Sequence, residues 1–293
     1  MSNADTILIT GSAHGLGLET ALYLAQRGFR VCATVRDLAQ RPSVVEAAAE
    51  RGVELEVVQL DLTDPSSIEA AVAAAAALNG SIFGLVNNGS IGLRGCLEDV
   101  TDDEVRRVFD TNVLGTVAVT RAVLPHMRAA GRGRIVNISS VGGRISAFGV
   151  GIYCSSKFAL EGLSEALAQE IEPFGLHAIL IEPGIIKTTR WTSNRGTSAG
   201  AQNPDSPYYQ LFQASEAFAD RLVERSKTQP MDVAAAVHRA LTVDKPKMRY
   251  VVGRPASVVV VLRRYVPERL FERLYFGTFL RRIRATAAAP QPE

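Results

Sequence analysis

Cysteine is scarce in this chain. Its three cysteines, Cys32, Cys96 and Cys154, are odd in number and far apart. That spacing excludes a disulfide framework and fits a reducing compartment, so a cytoplasmic location is expected. Net charge is nearly absent as well, at +2, which gives no electrostatic reason to expect a nucleic-acid partner. Long apolar runs are missing: a stretch such as "VVVVL" at 258–262 falls far short of the roughly 18 residues a membrane span needs. The opening "MSNADTILIT" has no basic segment leading into an apolar one, so no secretory signal is expected. There is no internal repeat or low-complexity tract, and no metal site is expected.

What remains is enough for a sizeable core: 293 residues, 47% of them hydrophobic, suit one large α/β domain. Strands are expected at 6–10, 29–35, 53–62, 82–88, 133–139, 176–184 and 249–253. Helices are expected at 15–28, stopped by Gly28, and at 64–78, where Asp64 is cap-like and Pro65 occupies the first turn. Two longer helices are expected from Thr101 to about Ala130 and from about Gly151 to Phe174. Apolar strands alternating with helices imply a parallel sheet covered on both faces, so the expected fold class is a seven-stranded, mostly parallel, doubly wound Rossmann-type α/β domain. The whole of 1–293 is read as one domain, with a dinucleotide-binding and catalytic core at 5–184, a substrate lid at 185–228 and a basic helical extension at 255–285.

The first strand runs into "TGSAHGLG", residues 10–17. A strand, a glycine-rich turn and a helix start make an anion site, because glycines let backbone approach a pyrophosphate and the helix start offers free N–H groups. The spacing is Gly-x3-Gly-x-Gly, with Gly11, Gly15 and Gly17 as the glycines. In a dinucleotide fold the acid that binds ribose lies about 20 residues on, at the end of the second strand. Here "ATVRD" places Val35 at that position and Arg36 after it. An arginine there can fork onto the 2′-phosphate of NADP, which an aspartate would repel. A one-residue shift would make Asp37 the acid, so NADP is favoured and NAD stays open.

Tyr153 and Lys157 stand four apart at the start of a helix, which puts them on one face. A free phenol ionises near pH 10, and a neighbouring ammonium and a serine hydroxyl both favour its phenolate. The pair is therefore expected to make Tyr153 a proton donor and acceptor near neutral pH, as hydride transfer to or from an alcohol requires. Alone it would read as an ordinary pair on a helix surface.

It does not stand alone. "TGSAHGLG", "NNGS", Ser140 followed thirteen residues later by "YCSSK", and "PGIIKT" occur in that order. Together they strongly resemble the short-chain dehydrogenase/reductase family over about residues 5–190, and "ATVRDL" and "YCSSKFALEGL" resemble its hydroxysteroid and retinol dehydrogenase branch. The resemblance implies Ser140, Tyr153 and Lys157 as catalytic residues, with Asn112 supporting a water relay to the lysine. Lys157 would also hold the nicotinamide ribose. It implies a cofactor site of Gly11, Ser12, His14, Gly15, Leu16, Gly17, Arg36, Asp61, Leu62, Asn88, Gly89, Tyr153, Lys157, Pro183, Gly184, Ile186 and Thr188. The chain departs from the family's Asn-Asn-Ala-Gly at Gly89 and Ser90. A homodimer or homotetramer through the two long helices is also implied.

Val141, Phe148, Val150, Ile185 and Trp191 form an apolar set near the tyrosine and in the lid, which suits a lipophilic alcohol or ketone; lid packing explains them too. The tail from Leu262 to Ala285 carries seven arginines against two glutamates. Leu270, Leu274, Phe271 and Tyr275 suggest one apolar helical face. Such a helix suits either weak contact with an anionic membrane or packing over the cleft or a subunit edge. The function expected is hydride transfer between NADP and a lipophilic alcohol or ketone. The alternatives are a related nicotinamide-dependent epimerase or dehydratase, or a non-catalytic cofactor-binding protein.

Overall fold

Seven short extended stretches, the central ones buried, pair in parallel as one sheet, of order β3-β2-β1-β4-β5-β6-β7. The strands are β1 Thr6–Ile9, β2 Arg30–Val35, β3 Glu56–Gln59, β4 Gly84–Asn87, β5 Gly133–Ile138, β6 Leu176–Pro183 and β7 Arg249–Val252. This is a computed structural model, and it describes residues 5–187 and 196–287. The order reverses between β1 and β4, which opens a crevice at the carboxyl ends of those strands.

The helices are α1 Gly15–Ala25, α2 Arg41–Glu50, α3 Pro65–Ala77, α4 Asp102–Phe109, α5 Thr116–Ala130, α6 Gly151–Ile171, α7 Tyr209–Arg225, α8 Pro230–Thr242, α9 Arg254–Tyr265 and α10 Glu268–Ala287. One apolar cluster joins the strands to α1 and α8 through residues such as Leu24, Val233 and Val237. A second joins the other face to α3, α5 and α6 through Ile68, Val123 and Leu167. The central strands are thus buried by helices on both faces, the condition for an all-parallel sheet, while the edge strands β3 and β7 are only partly covered.

The local signals explain most boundaries. The Asp64 carboxylate caps α3 by accepting from the Ser66 amide at 2.9 Å. Gly28 turns the chain at φ 86°, ending the first helical segment. Helices α2, α7 and α8 were not among the expected elements, and two expected helical segments differ. Residues 41–50 form α2, a helix that its weak apolar pattern did not announce. The long segment from Thr101 is interrupted: α4 passes through a π-helical turn, Asp110–Gly115, before α5 begins. The tail is two helices, because Pro267 cannot continue α9.

The core also carries a polar relay. Asn87 Nδ2 donates to Asn137 Oδ1 at 2.8 Å and to Thr120 Oγ1 at 3.0 Å. Asn137 Nδ2 donates to Ser164 Oγ at 2.8 Å. All four residues are buried, so these bonds tie α5 and α6 to the sheet at one height. Replacing Asn137→Ala takes one buried hydrogen bond from each of Asn87 Nδ2 and Ser164 Oγ, which keep Thr120 Oγ1 and Leu160 O as partners. It should lower stability by about 2–4 kcal/mol and Tm by about 5–15 °C in a thermal melt. An unchanged Tm would show that the relay does not hold these elements together.

Candidate active site

The glycine loop between β1 and α1 is held open by its neighbours. Gly11 has φ 71° and Gly15 φ 59°, backbone that other residues rarely adopt. A Cβ at Gly17 would collide with the Gly11 carbonyl oxygen. Asn88 Nδ2 donates to the carbonyls of Thr10 and Gly11, each at 3.0 Å. The Thr10 hydroxyl accepts from the amides of Asn88 at 3.0 Å and Gly89 at 2.9 Å. Ser12 N donates to Thr34 O at 2.6 Å, and Ser12 Oγ to Ile9 O at 3.2 Å. Ser12 therefore braces the loop from inside. At the mouth, a Cβ on Gly15 would meet nothing within 4 Å, so the space over the start of α1 is open. His14, the residue before the helix, gives it no side-chain cap. Leu16 lies against the apolar core beside Ala13. Rigid loop, open space and exposed helix start fit a pyrophosphate.

At the end of β2, Val35 is fully buried in the core, so no acid can occupy that position without a large penalty. Asp37 is engaged elsewhere, because its carboxylate accepts from the Ala39 amide at 2.9 Å and caps a short 3₁₀ turn. Arg36 is exposed. Asp61 accepts from Thr63 N at 2.9 Å and Thr63 Oγ1 at 2.7 Å, which fixes its carboxylate at the end of β3. A Cβ at Gly89 would come within 2.8 Å of Leu62 Cδ1, so glycine at the departure from the family pattern makes room for Leu62.

The catalytic candidates converge from two elements. Ser140 follows β5 and opens a 3₁₀ turn, its hydroxyl accepting from Gly142 N at 2.9 Å. Tyr153 and Lys157 lie in the first two turns of α6. Ser140 hydrogen-bonds the Tyr153 phenol. Lys157 is 3% exposed, donates from Nζ to Ile138 O at 2.9 Å, and lies 5.8 Å from the centroid of the Tyr153 ring. Burial pushes the lysine down to about 8, opposed by the Glu161 carboxylate.

The expected acidification of the tyrosine is not what this geometry does. Burial pushes the phenol up to about 12, and its bond from Ser140 lowers it only in part. The ammonium is aimed at the Ile138 carbonyl rather than at the phenol oxygen. Tyr153 is thus a phenol at neutral pH, the form that donates a proton.

Asn112 lies in the π turn. Its Oδ1 accepts from Ile91 N at 2.8 Å, and its Nδ2 donates to Ile91 O at 2.9 Å and Ser156 Oγ at 3.1 Å. It staples the chain after β4 to the residue before Lys157. Gly115 closes the turn where a Cβ would lie 2.6 Å from the Leu62 backbone.

The loop after β6 is held by the elements beside it. Pro183 ends the strand, and Gly184 N donates to Val252 O at 2.9 Å. A Cβ at Gly184 would come within 2.5 Å of Ala256 Cβ, so this glycine lets α9 approach. Ile186 packs on the core, while Ile185 is 40% exposed. Thr188 and Trp191 lie outside the described residues.

An apolar cavity of about 250 Å³ opens beside the 140–153 loop, lined by Ser146, Ala147, Phe148, Tyr275, Phe276, Phe279 and Leu280. Phe148 is therefore placed in it. Val141 and Val150, half-buried at the two ends of that loop, are not among its lining residues. Of the two expectations for the tail, α10 is packed on the protein, with Tyr275, Phe276, Phe279 and Leu280 of "LYFGTFL" lining this cavity. The expected single face of the tail splits in two. Phe271 is buried and stacks on Tyr275 at 5.2 Å, whereas Leu270 and Leu274 point outward at 46% and 58% exposure. Phe279 meets Phe218 of α7 edge-on at 5.4 Å.

A nucleotide cradle at the switch point of a doubly wound sheet, beside a serine, tyrosine and lysine, defines a nicotinamide-dependent oxidoreductase site. The family model for short chain dehydrogenases matches residues 5–199. Human 17-beta-hydroxysteroid dehydrogenase type 1 is 37% identical over 251 residues, covering 83% of this chain and 76% of that protein. The 3-ketodihydrosphingosine reductase of Bacteroides thetaiotaomicron is 35% identical over 268 residues, covering 91% and 94%. A solved short-chain dehydrogenase from Streptomyces avermitilis superposes with TM-score 0.79 at 31% identity, covering 95% of this chain and 98% of that one. The chain belongs to the short-chain dehydrogenase family, in its hydroxysteroid and retinol dehydrogenase-like branch, and is an NAD(P)-dependent oxidoreductase.

Tyr153→Phe should lower kcat by at least about 100-fold, the usual worth of a general acid–base group, while cofactor titration stays near wild type. Retention of more than about a tenth of the wild-type rate would remove Tyr153 from the proton-transfer role.

Proposed function

We propose that this enzyme is NADP-dependent and interconverts lipophilic alcohols and ketones of steroid-, retinoid- or long-chain type, with Tyr153 as general acid and base. The observation that carries this reading is the apolar cavity beside the Ser140–Tyr153 loop, walled by Phe148 and the aromatic face of α10. A wall of that chemistry removes apolar surface of a substrate from water and offers little to a charged one. The names of the human steroid and bacterial sphingoid-ketone relatives support the same substrate class.

The nicotinamide group, when bound, supplies or accepts the hydride. The chain's residues do the rest. Gly11, Gly15 and Gly17 would leave room for the pyrophosphate, with the start of α1 supplying N–H donors. Asp61 would face the adenine side, and Lys157 has donors beyond its bond to Ile138 for a ribose hydroxyl. In reduction, Tyr153 passes its proton to the carbonyl oxygen, with Ser140 polarising that oxygen and steadying the phenol. In oxidation the same atoms take the proton back.

Arg36 supports NADP over NAD, because it stands exposed at the end of β2 while Val35 is buried and Asp37 is engaged as a cap. Arg36→Leu should weaken NADPH binding about 10- to 150-fold, the worth of a charged bidentate contact, and leave NADH little changed in fluorescence titration. Equal wild-type affinity for the two cofactors would overturn the assignment.

The tail is proposed as a wall of the cleft. Its Phe271 and Ile283 are 3% and 0% exposed, so α10 is packed rather than detached. Weak contact with an anionic membrane would rest on the outer face, where Leu270 and Leu274 stand among arginines. Exposed Leu114 and Phe158, at 59% and 46%, support a homodimer or homotetramer through the long helices. Truncation at Val266 should lower Tm and abolish turnover of hydrophobic ketones, with no change in sedimentation with anionic vesicles. Salt-sensitive sedimentation of the full chain, lost on truncation, would instead assign α10 to a bilayer.

A further inference from the structure

Behind the catalytic lysine lies a buried cluster of charges that hydride and proton transfer do not use. Glu161 is 6% exposed and Glu182 is fully buried. Arg249 Nε, from β7, is shared between them, at 3.1 Å from Glu161 Oε2 and 3.1 Å from Glu182 Oε1. Its Nη2 reaches Glu165 at 2.6 Å, and Arg144 pairs with Glu182 at 3.0 Å. Glu161 Oε1 and Glu182 Oε2 are both buried without a hydrogen-bond partner.

We infer that Glu161 is a positioning residue for Lys157: its buried carboxylate, one helical turn along α6, holds the lysine in its charged form. Arg249 sets how much of that negative charge the lysine feels. The inference rests on the Tyr153–Lys157 reading of the active site.

The geometry carries it. Residues four apart on a helix share a face, so Glu161 stands behind Lys157 in the same buried layer. A half-paired carboxylate out of water is costly, and so is an isolated ammonium; each relieves the other. Glu182 shares its charge with Arg144 and Arg249, while Glu161 meets Arg249 through one oxygen and its other oxygen has no hydrogen-bond partner. Gly143 packs between the two elements: a Cβ there would lie 3.0 Å from both Glu161 Cγ and the Lys157 carbonyl. The turn after Ser140 and the helix bearing Tyr153 and Lys157 are thus locked around this cluster.

The other groups facing the pair do not compensate the ammonium. On α6, burial pushes Tyr153 and Cys154 up, which keeps both neutral. Glu182 is pushed up by burial and by Glu161 itself, and it is claimed by the two arginines. Glu165 is exposed and engaged with Arg249. Arg144 and Arg249 are cations. The π turn on the other flank presents neutral Asn112. Glu161 is also the group that opposes the effect of burial on Lys157.

The test reads the lysine directly. The chain has five lysines, so a protein labelled with ¹³C at the lysine ε position gives few NMR signals, and Lys157 is assigned by its loss in Lys157→Met. Glu161→Gln should lower the Lys157 midpoint by about one unit, the low end of what a nearby opposite charge brings. Arg249→Gln removes a like charge and should raise it. Glu161→Asp, which keeps the carboxylate, should restore most of the wild-type midpoint. Opposite signs in the two neutral variants are not produced by loosened packing alone. The alkaline limb of kcat/KM for ketone reduction should move with the NMR midpoint. Unmoved midpoints, or shifts of one sign in both variants, would overturn the inference. If Glu161→Gln does not fold, Arg249→Gln and Glu161→Asp decide it by the same signs. A shifted midpoint in a protein that reduces no ketone would sink the substrate reading and leave the pairing standing.

Discussion

An ammonium group taken out of water must recover its lost hydration from fixed partners, and Lys157 does this at 3% exposure. Its carbonyl partner at Ile138 comes from the carboxyl end of β5, so the lysine ties α6 to that strand end at 2.9 Å. Ser140 lies two residues further along, and Tyr153 stands on the turn of α6 before the lysine's, on the same face. One buried contact thus determines where the serine, the phenol and the ammonium stand relative to one another. The asparagine relay, from Thr120 through Asn87 and Asn137 to Ser164, secures the same helix deeper in the core.

The nucleotide side of the site depends on the sheet's reversal between β1 and β4. Because both strands run the same way, the loops after them meet, and Asn88 and Thr10 lock together there. Glycine is needed where backbone must approach backbone, at Gly11 and Gly17, and the open space over the helix start follows from that closeness. The π turn around Asn112 serves a related end. It interrupts the regular helical ladder, and its asparagine is spent on Ile91 and Ser156, holding the chain after β4 against the helix that carries the lysine.

An apolar cavity beside the 140–153 loop is walled by the end of the chain. Phe148 from the catalytic loop faces Tyr275, Phe276, Phe279 and Leu280 of α10, so the tail completes a wall that the parallel sheet alone does not provide. The chain around Gly196–Ser198 is moored to the loop after β4: Arg94 N donates to Gly196 O and Ser198 N to Arg94 O, both at 2.8 Å.

Short-range pattern determined much of this protein. Alternating apolar strands and capped helices specify the doubly wound sheet, since an element's period and its caps are set by neighbours within a few residues. The glycine loop, the Tyr153–Lys157 spacing and Arg36 were legible for the same reason. The helix Arg41–Glu50 was not, because its pattern is barely amphipathic and tertiary contact supplies its stability. Nor was the π turn, since an inserted residue leaves the helical period nearly unchanged on either side. Only the tertiary structure decided that Asp37 is spent as a cap, that Gly184 is required by α9, and that Phe271 and Tyr275 turn inward while Leu270 and Leu274 do not. It alone decided the direction in which Tyr153 is shifted. Sequence spacing brings an ammonium and a phenol to one face, but burial and the aim of a side chain at a distant carbonyl govern which of two opposing electrostatic effects prevails.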